Sequence, residues 1–178
     1  SLVRGRLVED NLENVEEIFV AKGVDSGIAA SALMFAPDGK LMMTVGGSYV
    51  FMGTGEYAQD PEVHYGKLLR LNADGSAPAD NPFVESGEYL PEVYSVGHRN
   101  QLGMTLHPET GQLWASENGP QGGDEANIIE PGKNYGWPLA SYSRNYRGDW
   151  VSQTPWREDF ESPTVVWWPS IAPSALTF

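Results

Sequence analysis

The chain has 178 residues, of which 40% are hydrophobic and 11% aromatic, enough to build a packed core rather than a disordered tail. Eleven Lys and Arg stand against 24 Asp and Glu, and the resulting net charge of −13 repels polyphosphate with no Lys/Arg cluster as a local exception, which argues against nucleic-acid binding. No apolar run approaches the roughly 20 residues of a membrane span, the start Ser1-Leu2-Val3-Arg4-Gly5 lacks the layout of a signal peptide, and the absence of cysteine removes disulfides, thiolate metal sites and thiol catalysis.

Twenty Gly and 13 Pro at short spacing leave little room for helices of ordinary length, so the chain reads as all-β. In chain order the predicted strands are Arg4–Glu9, Val15–Ala21, Ala32–Ala36, Lys40–Val45, Gly66–Asn72, Glu92–Val96, Met104–His107, Gln112–Glu117, Ala126–Ile129 and Pro163–Trp168. Each is rich in Val, Leu, Ile, Met or aromatic residues and is bounded by turn formers. An internal repeat links Ala32-Leu-Met-Phe-Ala-Pro37-Asp-Gly39-Lys-Leu41 to Gly103-Met-Thr-Leu-His-Pro108-Glu-Thr-Gly111-Gln-Leu113, with one inserted residue and 71 residues between the two prolines. Each copy reads as strand, Pro-acid-Gly turn, strand, followed by a Gly-rich loop at Gly46-Gly47 or Gly119-Pro120.

Repeated antiparallel hairpins mark a β-propeller, whose blades recur at about 40 to 45 residues, so the excess here falls in the long loops Ser48–Tyr65 and Ala73–Tyr89. These loops are either walls of a site at a channel mouth or surface insertions. A propeller of 4–8 blades at roughly 40 residues each needs more chain than this unless it has only four, and the chain, which holds about three blades, is expected to be part of a ring. A truncated reading frame, a proteolytic piece, or self-association of two half-propellers would each give this length.

Three segments carry candidate chemistry. Gly97-His98-Arg99-Asn100 presents a His, an Arg and an Asn at a strand end, where a planar, always-charged guanidinium suits a carboxylate or a quinone oxygen, or else bridges neighbouring blades. Glu117-Asn118-Gly119-Pro120-Gln121-Gly122-Gly123-Asp124-Glu125 surrounds a glycine-rich turn with three carboxylates. Its carbonyl and carboxylate oxygens suit Ca²⁺, the alternative being a solvated acidic turn, and its spacing is not that of an EF-hand. Gly132-Lys133-Asn134-Tyr135-Gly136-Trp137-Pro138 is a tight turn whose aromatic pair either fills space between blades or touches a ligand.

Taken in order, these three segments and Trp168-Pro-Ser-Ile-Ala-Pro-Ser174 resemble the soluble PQQ-dependent sugar dehydrogenases, the aldose and glucose/sorbosone dehydrogenase family. The likeness takes in Gly66–Gly75 and Asp80-Asn-Pro82 and so covers nearly the whole chain. It implies a six-bladed propeller of which this is the central half. It further implies pyrroloquinoline quinone (PQQ) with Ca²⁺ in the central channel, an aldose as hydride donor, a separate electron acceptor, and a periplasmic or secreted location. By the resemblance, Arg99 contacts quinone and substrate, Asn100 holds the cofactor, and Gly119 and Pro120 offer carbonyls to its Ca²⁺. Asp124, Glu125 and Tyr135 then fall at a second, structural Ca²⁺.

The departures from the family pattern are specific. The family's general base, a His, belongs just before the strand Ala32–Ala36, where Ile28 stands, and the acid that orients it belongs where Gly46-Gly47 stand. Neither Ile nor Gly can take a proton, so turnover needs a replacement base, for which His64, His98 and Glu56 are the candidates. Without one, the chain reads as a propeller that binds cofactor, calcium or sugar but does not turn over. Gln101 stands where the family usually has Pro after the Arg-Asn pair.

Overall fold

Two runs of the sequence, Leu41-Met-Met-Thr-Val45 and Lys67-Leu-Leu-Arg-Leu71, carry apolar residues at nearly every position, the pattern of strands covered on both faces. The computed structural model describes residues 1–23, 31–47 and 55–178, and in it both runs are central strands of a four-stranded antiparallel sheet. That sheet is formed by β3 (Leu33–Phe35), β4 (Leu41–Val45), β5 (Lys67–Leu71) and β6 (Val93–Val96), paired in that order, with the strands of β1 (Leu2–Val8) and β2 (Asn11–Phe19) forming a separate hairpin before it. A second four-stranded sheet follows the same path through β7 (Gln101–Leu106), β8 (Leu113–Glu117), β9 (Asp124–Ile129) and β10 (Val165–Trp167). The protein is all-β, and the expected three blades resolve as two four-stranded blades and a two-stranded hairpin. All ten predicted strands are present.

The internal repeat is visible in the hydrogen bonding. Gly39 donates to Ala36 at 2.9 Å and Ala36 to Lys40 at 2.8 Å, while Gly111 donates to His107 at 2.8 Å and His107 to Gln112 at 2.9 Å. The added residue lengthens the second turn without changing its closure. Both glycines have φ above 70°, a conformation that L side chains rarely adopt.

Alternate side chains of β4 go to opposite faces, and the two faces meet different cores. Leu41, Met43 and Val45 pack with Leu69, Leu71, Val93, Leu2 and Phe19, which joins the hairpin to the first blade. Met42 packs with Leu68, Leu113, Ala115, Ile129 and Tyr135, which joins the first blade to the second. Burial on both faces is why these strands read as continuous apolar runs.

The register separates two ends of the blades. One end holds the turn after β3 and the loop 73–89, and the other holds the end of β4, the start of β5 and the start of β7. Arg70 fastens the loop 73–89 to its blade, donating to Asp80 at 2.9 Å, to Asn81 at 3.0 Å and to Asp38 at 2.7 Å. That loop is therefore structural and lies at the end away from Arg99, so it does not wall the site. Of the loop Ser48–Tyr65, residues 48–54 lie outside the described residues, and Gly55–Ala58 forms a 3-10 turn. Among the described residues no helix is long and apolar enough to cross a membrane.

Candidate active site

The site assembles on one side of the blades, where β6 and β8 end and β7 begins. Gly97, at φ 77°, turns the chain out of β6 and sends Arg99 and Asn100 across to β7. The turn is fixed from beneath by Glu117, the last residue of β8, whose side chain is buried. Glu117 Oε2 accepts the backbone N–H of Arg99 at 2.6 Å, and Oε1 accepts from His98 Nδ1 at 3.1 Å and from Asn127 Nδ2 at 3.1 Å. Burial alone would raise the Glu117 carboxyl. Hydrogen bonds from His98 and from the backbone of Arg99 and Asn100 outweigh that and hold it below its ordinary value.

The Arg99 guanidinium donates to the carbonyl of Asn118 at 2.6 Å and to the hydroxyl of Tyr146 at 3.3 Å. It also lies 5.7 Å from the ring centre of Trp137 and 6.0 Å from that of Tyr146, within reach of both π faces. Arg99 is thus aimed by Asn118, Tyr146 and Trp137 and remains half-buried at the surface of the mouth. Gly47 supports its backbone from the other side, donating to the Arg99 carbonyl at 2.5 Å. A Cβ on Gly47 would stand 2.9 Å from that same oxygen, so the close approach requires glycine. The position where the family pattern has an acid is here a backbone contact to Arg99.

The carbonyls of Gly119 and Pro120 accept no hydrogen bond from the described residues, and both residues are half-buried beside Arg99. The side chain of Asn100 is likewise without a partner among the described residues. A charged donor, an amide and two open carbonyls at adjoining strand ends fit an anionic, oxygen-rich ligand together with a hard cation.

Asp124, adjoining this turn, is fully occupied. Its Oδ1 accepts from Gly119 N at 2.9 Å, and its Oδ2 accepts from Ser170 Oγ at 2.6 Å and from the N–H groups of Ile171 and Ala172, each at 2.7 Å. Four donors satisfy both oxygens, so Asp124 acts as a clamp between the turn and the segment after β10, not as an open ligand. Glu125 differs. It stands directly opposite Glu117 across the β8–β9 ladder and has one hydrogen bond, from Asn127 at 3.2 Å. Burial and the facing charges of Glu117 and Asp124 push its carboxyl up to about 8. The hydroxyl of Tyr135 is taken up, donating to Ile128 O at 2.6 Å and accepting from Glu130 N at 3.0 Å, which leaves its backbone carbonyl as the available oxygen. Glu125 and Tyr135 line one small cavity. Arg157, Glu161 and Ser162 line the same space, and among the described residues no group of three or more His, Cys, Asp or Glu is placed to hold a metal ion.

Neither histidine proposed as a base is open. His64 accepts from Lys22 N at Nδ1 (2.7 Å) and faces Glu92 from Nε2 (3.4 Å). Burial holds its ring below the ordinary value, and it packs 5.2 Å from the Phe19 ring inside the first blade. His98 is 1% exposed, and with Nδ1 donating to Glu117 its Nε2 accepts from Ser95 Oγ at 2.9 Å. Its ring stacks on Tyr135 at 4.7 Å. Both imidazoles are framework groups. The side chain of Glu56 and the whole of Ile28 lie outside the described residues. Ser95, Asn127 and Tyr146 carry no signal in the motifs and meet the site only through strand register and loop return.

The whole chain, residues 1–178, matches the Glucose / Sorbosone dehydrogenase family, and it belongs to that family. It is 41% identical over 140 residues to the aldose sugar dehydrogenase YliI of Escherichia coli, covering 75% of this chain and 38% of that protein. The apo-form structure of the soluble aldose sugar dehydrogenase Asd from Escherichia coli superposes with a TM-score of 0.90 at 35% identity, covering 97% of this chain and 50% of the other. The PQQ-bound form of the aldose sugar dehydrogenase from Streptomyces coelicolor superposes with a TM-score of 0.75 at 32% identity, covering 97% and 47%. The chain therefore spans about half, or less, of the length of the relatives it matches.

Proposed function

We propose that this chain carries the cofactor-holding part of a PQQ- and Ca²⁺-dependent dehydrogenase of aldose sugars. The observation that carries the reading is the convergence of Arg99, the unpartnered amide of Asn100 and the two open carbonyls of Gly119 and Pro120 on one patch of the blade mouth. Bound there, PQQ would supply the two-electron acceptor for the C1 hydrogen of the sugar. Arg99 would set its charge against the quinone oxygens, held in place by Glu117, Asn118, Tyr146 and Gly47. Asn100 would hydrogen-bond the cofactor, and the Gly119 and Pro120 carbonyls would take its Ca²⁺. Glu125 and the Tyr135 carbonyl would hold a second Ca²⁺ between the blades, with Asp124 fixing the turn beside them.

A second reading, binding without turnover, is favoured by a specific observation. Both nitrogens of His64 and of His98 are engaged within the protein, and Gly47 makes a backbone contact where an acid is expected. Both readings place the protein in the periplasm or outside the cell, and both leave the electron acceptor to a separate partner.

The deciding experiment mixes the full-length protein with Ca²⁺ and PQQ, then adds a panel of aldoses while following cofactor binding and the quinone absorbance. Sugar-dependent bleaching establishes the dehydrogenase and sends the search for its base to the segments 24–30 and 48–56. Binding without bleaching establishes the second reading. Unchanged PQQ binding in Arg99→Ala would remove the cofactor assignment itself.

A further inference from the structure

We propose that the groove walled by Tyr142, Arg144, Trp150 and Trp168 is a saccharide subsite. It would hold the sugar units of an oligosaccharide beyond the one presented to the central site, a proposal that rests on the dehydrogenase reading above. The groove has a volume of about 430 Å³ and largely apolar walls. Ligand clefts fall at about 300 to 1,000 Å³. Trp150 and Trp168 are 53% and 57% exposed, and their ring centres lie 6.4 Å apart with planes inclined by 40°. Two indoles left open toward one groove contribute little to the core and present flat apolar faces to a ligand.

The groove is held in shape from within. The Arg144 guanidinium lies 4.3 Å from the Trp150 ring centre and donates to Gly148 O at 3.0 Å, which fixes the indole against its own hairpin. Trp168 Nε1 donates to Tyr142 O at 3.0 Å, which fixes the opposite wall. The Gln153 amide stands exposed on the rim and makes no hydrogen bond with the described residues. A pyranose has an apolar C–H face and a belt of hydroxyls. The indole faces suit the first, and Gln153 with the outer edge of Arg144 suits the second.

One hairpin links the groove to the central site. The hairpin from Arg144 to Trp150, closed by Asn145 N donating to Asp149 O at 2.7 Å, carries Tyr146 to Arg99 at its tip. Its base bridges to Gln121, next to Pro120. Trp168 covers Gly122 so closely that a Cβ there would stand 2.5 Å from the indole nitrogen. A sugar chain whose reducing end sat beside Arg99 would therefore run its next units along this groove.

The test uses the full-length protein without PQQ and follows tryptophan fluorescence during titration with methyl glycosides of a monosaccharide, a disaccharide and a trisaccharide. These glycosides have no oxidisable aldehyde carbon, so binding is read independently of turnover. Saturable binding that tightens from one unit to three, and weakens roughly tenfold in Trp150→Ala while Trp150→Phe retains most of it, is the expected result. In the loaded enzyme, the ratio of kcat/KM for a disaccharide to that for its monosaccharide should fall by the same factor in Trp150→Ala. No saturable glycoside binding to the wild type, or equal binding by Trp150→Ala, overturns the subsite whether or not the protein oxidises sugars. Glycoside binding without any sugar oxidation overturns the dehydrogenase reading and keeps the groove as a sugar-binding site.

Discussion

Gly47 and Arg99 are joined back to back: the amide of one donates to the carbonyl of the other at 2.5 Å, across the gap between the first and second blades. A methyl group on Gly47 would meet that carbonyl at 2.9 Å, and the atom in its way is backbone. Gly47→Ala should therefore cost about 1–3 kcal/mol of stability, the usual penalty of overpacking. It should also weaken PQQ binding by the full-length protein, because the displaced residue is Arg99. Thermal unfolding and a PQQ titration check the two effects, and unchanged PQQ affinity in a destabilised variant would detach Gly47 from the site.

Arg99 N, His98 Nδ1 and Asn127 Nδ2 all donate to Glu117, with the backbone of Asn100 beside them. Glu117→Gln replaces one acceptor oxygen with a donor nitrogen, so at least one buried N–H faces another. The cost is expected at about 1–3 kcal/mol. Urea unfolding should show the midpoint lowered at constant slope.

Glu125 opposes Glu117 across a ladder pair, and burial with that facing carboxylate pushes its carboxyl up to about 8. The folded protein then loses stability as pH rises from 4.5 to about 8, so Glu125→Gln should stabilise the calcium-free protein by a margin that grows across that window. The same variant should lose the rise in Tm that Ca²⁺ gives the wild type, since a cation that binds only the folded state stabilises it by mass action. Retention of the full Ca²⁺-dependent rise would move the second calcium away from Glu125.

Lys67 is wholly buried, with its ammonium donating to Tyr57 O at 2.7 Å, Tyr65 O at 2.9 Å and Ala58 O at 3.4 Å. Burial lowers its pKa from 10.5 to about 7. Between pH 7 and 10.5 the unfolded chain then binds more protons at this position than the folded one, so this group makes stability rise with pH across that window. Lys67→Met should flatten the rise. It should also destabilise the protein at pH 7 by about 1–3 kcal/mol, because three carbonyls lose their donor. Urea unfolding of both proteins at pH 7, 8 and 9 measures the difference in slope.

The central strands of the first blade are legible because both of its faces are covered, which writes largely apolar runs into β4 and β5. β7 and β9 begin earlier than the expected Met104 and Ala126. They open on Gln101 and on Asp124-Glu125, polar residues that belong to strands because their partners lie across the sheet. The same cause hid the environment of the site. Glu117 reaches Arg99 from 18 residues away and Asn127 from 10, and such distances collapse only once register is fixed. His64 and His98 looked available because composition shows an imidazole and never its partners. The order of the motifs singles out Arg99, Asn100, Gly119 and Pro120, and all four lie beside strand ends.

The clamp at Asp124 has a bearing on how this protein can be cut. One of its four donors, Gly119, belongs to the turn itself, and the other three come from Ser170, Ile171 and Ala172, beyond β10. A nick or circular-permutation point between Trp168 and Ser170 would leave every strand of the second blade intact. It would still free a buried carboxylate from the leash that fixes the Gly119-Pro120 turn. The natural module here is thus offset from the blade: it runs from one sheet into the linker that follows, and a blade cut at its strand boundaries would keep all four strands and lose the shape of its mouth.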